Sequence, residues 1–150
     1  MASITIEVRN LEPIQAKLKK GGNIIKKQMN EAIKRAVLMV EADSKKNTPS
    51  DTSRLRGAHK TYFGNLQGKL RIEADYGIYV HEGTRPHWPP FDAIDPWAKR
   101  HGIPTFLVQR AIARKGTKAV PFLKDAVTKN KNKIEQIFKQ KVTNIITQLS

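Results

Sequence analysis

Seven apolar residues fix one element before anything else about the chain is considered. Ile25, Met29, Ala32, Ile33, Ala36, Val37 and Val40 recur at intervals of three and four. That spacing draws one apolar stripe along an α-helix, and such a stripe has to be buried against another element. Lys26, Lys27, Lys34, Glu41 and Lys45 fall mostly off the stripe, so the opposite side is wet. Pro49 stops the helix at or before Asn47, because a residue preceding proline is pushed out of the helical region. The stripe reads as a core-packing element.

Other periodicities supply what the stripe packs against. Ile4, Ile6 and Val8 alternate with Thr5, Glu7 and Arg9, the pattern of a half-buried strand. Ile14 and Leu18 begin a helical stretch that Gly21 and Gly22 interrupt. Thr61 to Leu66 and Lys69 to Ala74 read as two strands around Gly64 to Gly68. Leu70, Ile72 and Ala74 face one way, and Lys69, Arg71 and Glu73 the other. Ile78 to His81 reads as a further short strand. Ala93 to His101 is a short amphipathic helix with Ile94, Trp97 and Ala98 inward and Gly102 as its stop. Pro104 starts another piece, in which Phe106, Leu107, Arg110 and Ala111 stand at helical spacing. After a joint at Thr117 to Pro121, the apolar set from Phe122 to Leu149 is helical. The polar run Thr128 to Lys133 leaves one long helix or two shorter ones open. The expected fold class is α+β: a long amphipathic helix packed on a small, mostly antiparallel sheet, with short peripheral helices and a C-terminal helix. The 150 residues suit a single domain over 1–150.

Charge is the strongest global feature: 28 basic against 13 acidic side chains, a net of +15. The excess leans to the C-terminal end, where residues 111–150 hold nine basic and two acidic groups. Such a field favours polyanions or acidic protein surfaces. Lysine outweighs arginine and the basic runs carry no interleaved aromatics, which argues against a reader of base edges or of single strands. Non-specific contact with a DNA backbone stays open. The absence of cysteine excludes disulfides and thiolate metal sites. The N-terminus lacks the pattern of a secretory signal, and no apolar run approaches the roughly 20 residues of a membrane helix, so no membrane partner is expected.

Tyr79 to Pro90, YVHEGTRPHWPP, holds the most suggestive side chains. As a metal or hydrolytic site it would use His81, Glu82 and His87, with His59 or His101 as a further ligand. A zinc-peptidase helix needs its two histidines on one face around a glutamate. Here six positions separate the histidines, and Gly83 and Pro86 forbid a continuous helix between them. Glu82 with Asp92 or Asp95 could form an acid–base pair, but no nucleophile elbow or phosphate-cradling loop accompanies them. No cofactor, metal or enzymatic activity is expected. A docking loop accounts for more of the residues. Gly83 can turn the chain through positive φ, Pro86, Pro89 and Pro90 stiffen the exit, and Trp88 offers an exposed contact. Trp97 reads as a cap on the core. The candidate contact residues are Tyr79, His81, Glu82, Thr84, Arg85, His87 and Trp88. Arg54 and Arg56 act in a second, flexible loop.

Four motifs stand in order: NTPSDTSRLRGAHK after the long helix, ADYGIYVHEGT, PPFDAIDPWAKRHGIP, and RKGTKAVPFLKDAV before the last helix. This order resembles the tailed-phage family of small head–tail joining proteins, also described as neck, tail-completion or minor tail components. The matching positions are Thr48 and Pro49, Asp51 and Thr52, Leu55 and Arg56, Tyr76 to Thr84, and Pro121 to Leu123. Ser53 stands where that family usually has glycine. The resemblance implies a structural virion protein that joins head connector to tail, acting as a homo-oligomeric ring. Its partners would be the connector, tail terminator or tail tube, and its location the virion after assembly in the host cytoplasm. The alternative is a small basic DNA-binding protein.

Overall fold

The computed structural model describes residues 3–7 and 12–149, with side chains at 3–5, 7 and 21–149. Element order is β1 (Ser3–Glu7), α1 (Glu12–Asn47), α2 (Arg54–Gly57), β2 (His59–Gly64), β3 (Gln67–Ile72), α3 (Gly77–Glu82), α4 (Phe91–Arg100), α5 (Thr105–Lys115) and α6 (Phe122–Leu149). The chain is therefore α+β, with a long helix on a three-stranded antiparallel sheet of order β1-β3-β2. Val8 lies outside the described residues, as do the side chains of Ile6, Ile14 and Leu18.

Helix α1 breaks its helical geometry at Gly21, where the sequence anticipates an interruption, and then runs unbroken to Asn47. All seven stripe residues are buried. The stripe meets two partners. Ile33, Val37 and Val40 pack with Leu70 and Ile72 of β3 and with Phe122, Leu123 and Ala126 of α6. Ile25 and Met29 pack with Ile145. Helix α6 is one continuous helix running antiparallel to α1: Lys141 bonds Gln28 and Glu31 near one end, and Lys129 and Asn130 bond Asp43 near the other. The polar run does not split it because Asn130 faces inward and finds partners. Its amide donates to Asp43 Oδ2 at 2.6 Å and to the Ala126 carbonyl at 2.9 Å. The same bond and Lys129 hold the Asp43 carboxyl below its ordinary pKa.

Gly68 sets how closely α1 lies on the sheet. A Cβ there would sit 2.7 Å from Ile33 Cγ2 and 2.7 Å from Val37 Cγ2. The turn before it uses Leu66 at φ 55°, with its amide donating to Asn30 Oδ1 at 2.7 Å. On the wet face, Tyr62 donates to Glu73, which raises the Tyr62 pKa, and Arg71 lies over the Tyr62 ring.

His59 joins the end of α1 to the start of β2. It is buried, 3% exposed. Its Nδ1–H donates to the Leu55 and Arg56 carbonyls at 3.2 and 3.1 Å. Nε2 must then accept, and Ser44 Oγ lies 2.9 Å away to donate. Thr48 Oγ1 donates to the Ser44 carbonyl at 2.7 Å. Burial lowers the His59 pKa, so the neutral ring is the native form. The Thr-Pro motif thus closes a small polar knot inside the core.

Two expectations are corrected. Ile78 to His81 is not a strand but part of helix α3. It pairs with neither open edge of the sheet, and it ends against Gly83 at φ 71°. Trp97 does not cap the core. It is 38% exposed on the flank of α4 and stacks on His101 at 4.1 Å, while Ala98 fills the inward position.

Candidate docking site

Two glycine–threonine pairs, Gly83–Thr84 and Gly116–Thr117, close a neck in the chain. The threonines form an antiparallel bridge. Thr84 N–H donates to the Thr117 carbonyl at 3.1 Å, Thr117 N–H donates back at 3.2 Å, and the two hydroxyls lie 3.0 Å apart. Both glycines have positive φ, 71° and 70°. A Cβ on Gly83 would lie 2.6 Å from the Thr117 carbonyl oxygen, and one on Gly116 only 1.9 Å from that of Thr84. No side chain fits at either place, so the backbones cross at the closest approach glycine allows.

Everything between the two pairs forms a helical hairpin of α4 and α5. Its fully buried positions are small or polar, with Ile94, Val108 and Ile112 half-buried beside them. Thr105 donates to Asp95 at 2.8 Å, Gln109 donates to the Pro89 carbonyl at 2.9 Å, and Ala98 is buried between them in sequence. Lys99 and Thr105 together lower the Asp95 pKa. The hairpin is tied to the Thr48–Ser53 loop by Arg100, which pairs with Asp51 and lowers the pKa of that carboxyl.

Large apolar side chains also stand on the outside. Trp88, Phe91, Ile103, Phe106 and Leu107 are all exposed, and the Trp88 and Phe106 rings lie 6.0 Å apart. With Trp97, six large apolar groups within twenty residues exceed the scattering expected of an ordinary surface. Sequence periodicity placed Phe106 and Leu107 on a helix without saying which way they face. Only the hydrogen-bonding capacity of Thr105 and Gln109 hints that those residues could take the inner side.

The residues singled out in the sequence divide as follows. Tyr79 is 61% exposed on α3. Arg85, His87 and Trp88 are exposed just beyond the neck, and Thr84 is half-buried within it. Arg54 and Arg56 lie not in a loop but on helix α2, fixed by the buried Leu55 between them; Arg54 lies over the Tyr76 ring at 5.9 Å, and Arg56 reaches the Thr48 carbonyl at 3.5 Å. His81 is not on the contact surface. It is 8% exposed, edge-on to Phe122, with Nδ1–H donating to Glu82 Oε1 at 2.7 Å and Nε2 accepting the Lys124 N–H at 3.4 Å. A helix, unlike the expected strand, turns His81 inward while Tyr79 and Glu82 face out.

His87 does not join the His81–Glu82 pair; its ring bonds the carbonyl of Arg85 in its own loop. Among the described residues, no group of three His, Asp or Glu side chains could hold a metal ion. A cleft of about 430 Å³ opens beside His81 and Glu82, lined by Ile4, Ile78, Leu123, Lys124 and Val127. No described helix is long and apolar enough to cross a membrane. The sequence marked Thr117 as the start of a joint but gave neither Gly116 nor Thr117 a part in a neck. The signal for them was the second copy of the Gly-Thr dipeptide.

No family model matches the chain, and no curated protein or solved structure shows significant similarity to it.

Proposed function

We propose that the chain is a structural component of a tailed-phage or prophage particle, seated at the head–tail junction or tail end. The single observation that carries this reading is the glycine-necked hairpin with its apolar residues turned outward. A hairpin closed at its base by the Thr84–Thr117 bridge and carrying exposed aromatics suits joining one protein to another. The motifs behind the resemblance also support it, because they meet at working positions. Thr48 closes the His59 knot, Leu55 and Phe122 are buried, and Gly83 and Thr84 build the neck. Partners would be the connector, tail terminator or tail tube, with copies arranged as a ring. Deleting the gene from its phage and imaging the lysate by electron microscopy tests this. Filled heads separated from finished tails are expected; normally joined virions would sink the reading.

A DNA-binding role is the second reading, favoured by the exposed lysines of α6 at 124, 129, 131, 133 and 139. Only Lys129 among these forms an ion pair within the described residues. It predicts binding to duplex DNA that collapses steeply with salt and shows little sequence preference.

A further inference from the structure

The outer face of α5 changes character along its length. Ile103, Phe106 and Leu107 are exposed at its N-terminal end, with Trp88 beside Phe106. Arg110 and Arg114 follow at intervals of three and four on the same face, both exposed and neither in an ion pair among the described residues. At about 1.5 Å rise per residue, the arginines stand roughly 5 to 12 Å along the axis from the apolar group.

From this we propose that the face formed by Trp88, Phe106, Leu107, Arg110 and Arg114 docks an acidic amphipathic helix of a partner protein. The apolar end would be covered by the partner's aliphatic residues and the arginines met by its carboxylates. Charge decides against a second copy of this chain, which would bring the same arginines and a net +15 to the contact. The aliphatic Ile103 and Leu107 decide against a nucleic-acid strand, which stacks on aromatics but gains little from branched side chains. The proposal rests on the hairpin being a docking element and not on the chain belonging to a virion.

The test uses the full chain with Trp97→Phe, leaving Trp88 as its one tryptophan. Two synthetic helical peptides share a leucine face and differ only in carrying glutamate or lysine on their flanks. The glutamate peptide should shift Trp88 emission to the blue, and its affinity should fall about tenfold between low salt and about 0.5 M salt. Leu107→Asp should abolish the shift, and because Leu107 is half exposed this variant should fold. Arg110→Glu with Arg114→Glu should reverse the preference toward the lysine peptide. Equal response to both peptides, response to neither, or a Trp88 shift given only by oligothymidine, by anionic phospholipid vesicles or by self-association would each overturn the proposal. Joined virions after gene deletion would remove the virion reading and leave the peptide result standing, so the two fail separately.

Discussion

His59 shows how one side chain can set a pH limit on a fold. Its pKa is ordinary, near 6.5, in the unfolded chain and lower in the core. The unfolded state therefore binds more protons as pH falls, and stability drops with it. That contribution is full above about pH 6.5 and lost as pH falls toward the lowered native value. Thermal unfolding measured across about pH 5 to 8 should show a falling midpoint on the acid side. His59→Gln, which cannot titrate, should flatten that part of the profile. A second decline belongs below the usual carboxylate range, as Asp43, Asp51 and Asp95 lose charges that the fold favours. Ser53 carries a different strain. It sits at φ 59° at the start of α2 without a side-chain cap bond, where the resembled family usually has glycine. Ser53→Gly should raise stability by up to about 1 kcal/mol by removing the left-handed penalty. Chemical denaturation would measure it, and an unchanged or lower midpoint would contradict the argument.

At the scale of elements, Gly68 governs the contact between α1 and the sheet. Gly68→Ala forces a methyl against Ile33 and Val37, so the helix must lift or the side chains leave their rotamers. A loss of about 1–3 kcal/mol is expected, with the unfolding transition still cooperative. Equal stability to the parent would mean that α1 rides higher on the sheet than described. The long helices tolerate polar interruptions on different terms. Asn130 keeps α6 continuous because Asp43 and the Ala126 carbonyl take its amide hydrogens. The sequence showed a weak point there, since it gives no sign of which residue across the core will take the amide hydrogens of the asparagine.

Across the whole molecule, the neck separates a core of α1, α6 and the sheet from a projecting hairpin. Gly116→Ala should cost at least about 2 kcal/mol at the neck, read as faster hydrogen exchange at the Thr84 and Thr117 amides. Replacing residues 86–114 with a short linker joins ends that the bridge already holds together. The remaining core should unfold cooperatively within about 5 °C of the parent, and loss of cooperativity would mean the hairpin is part of the core. Much of this architecture was legible without coordinates. The α1 stripe, the β2–β3 hairpin, the helical ends and the α+β class follow from periodicity, because period and burial are tied locally. Gly83 announced its turn because few other residues accept that φ. What sequence alone left undecided is which face each short amphipathic piece presents. Ile78 to His81 alternates well enough for a strand yet folds as helix α3, turning His81 inward. Thr105 and Gln109 go inside α5 while Phe106 and Leu107 stay out. Both outcomes depend on hydrogen-bond partners distant in the chain, and only tertiary packing brings those partners within reach.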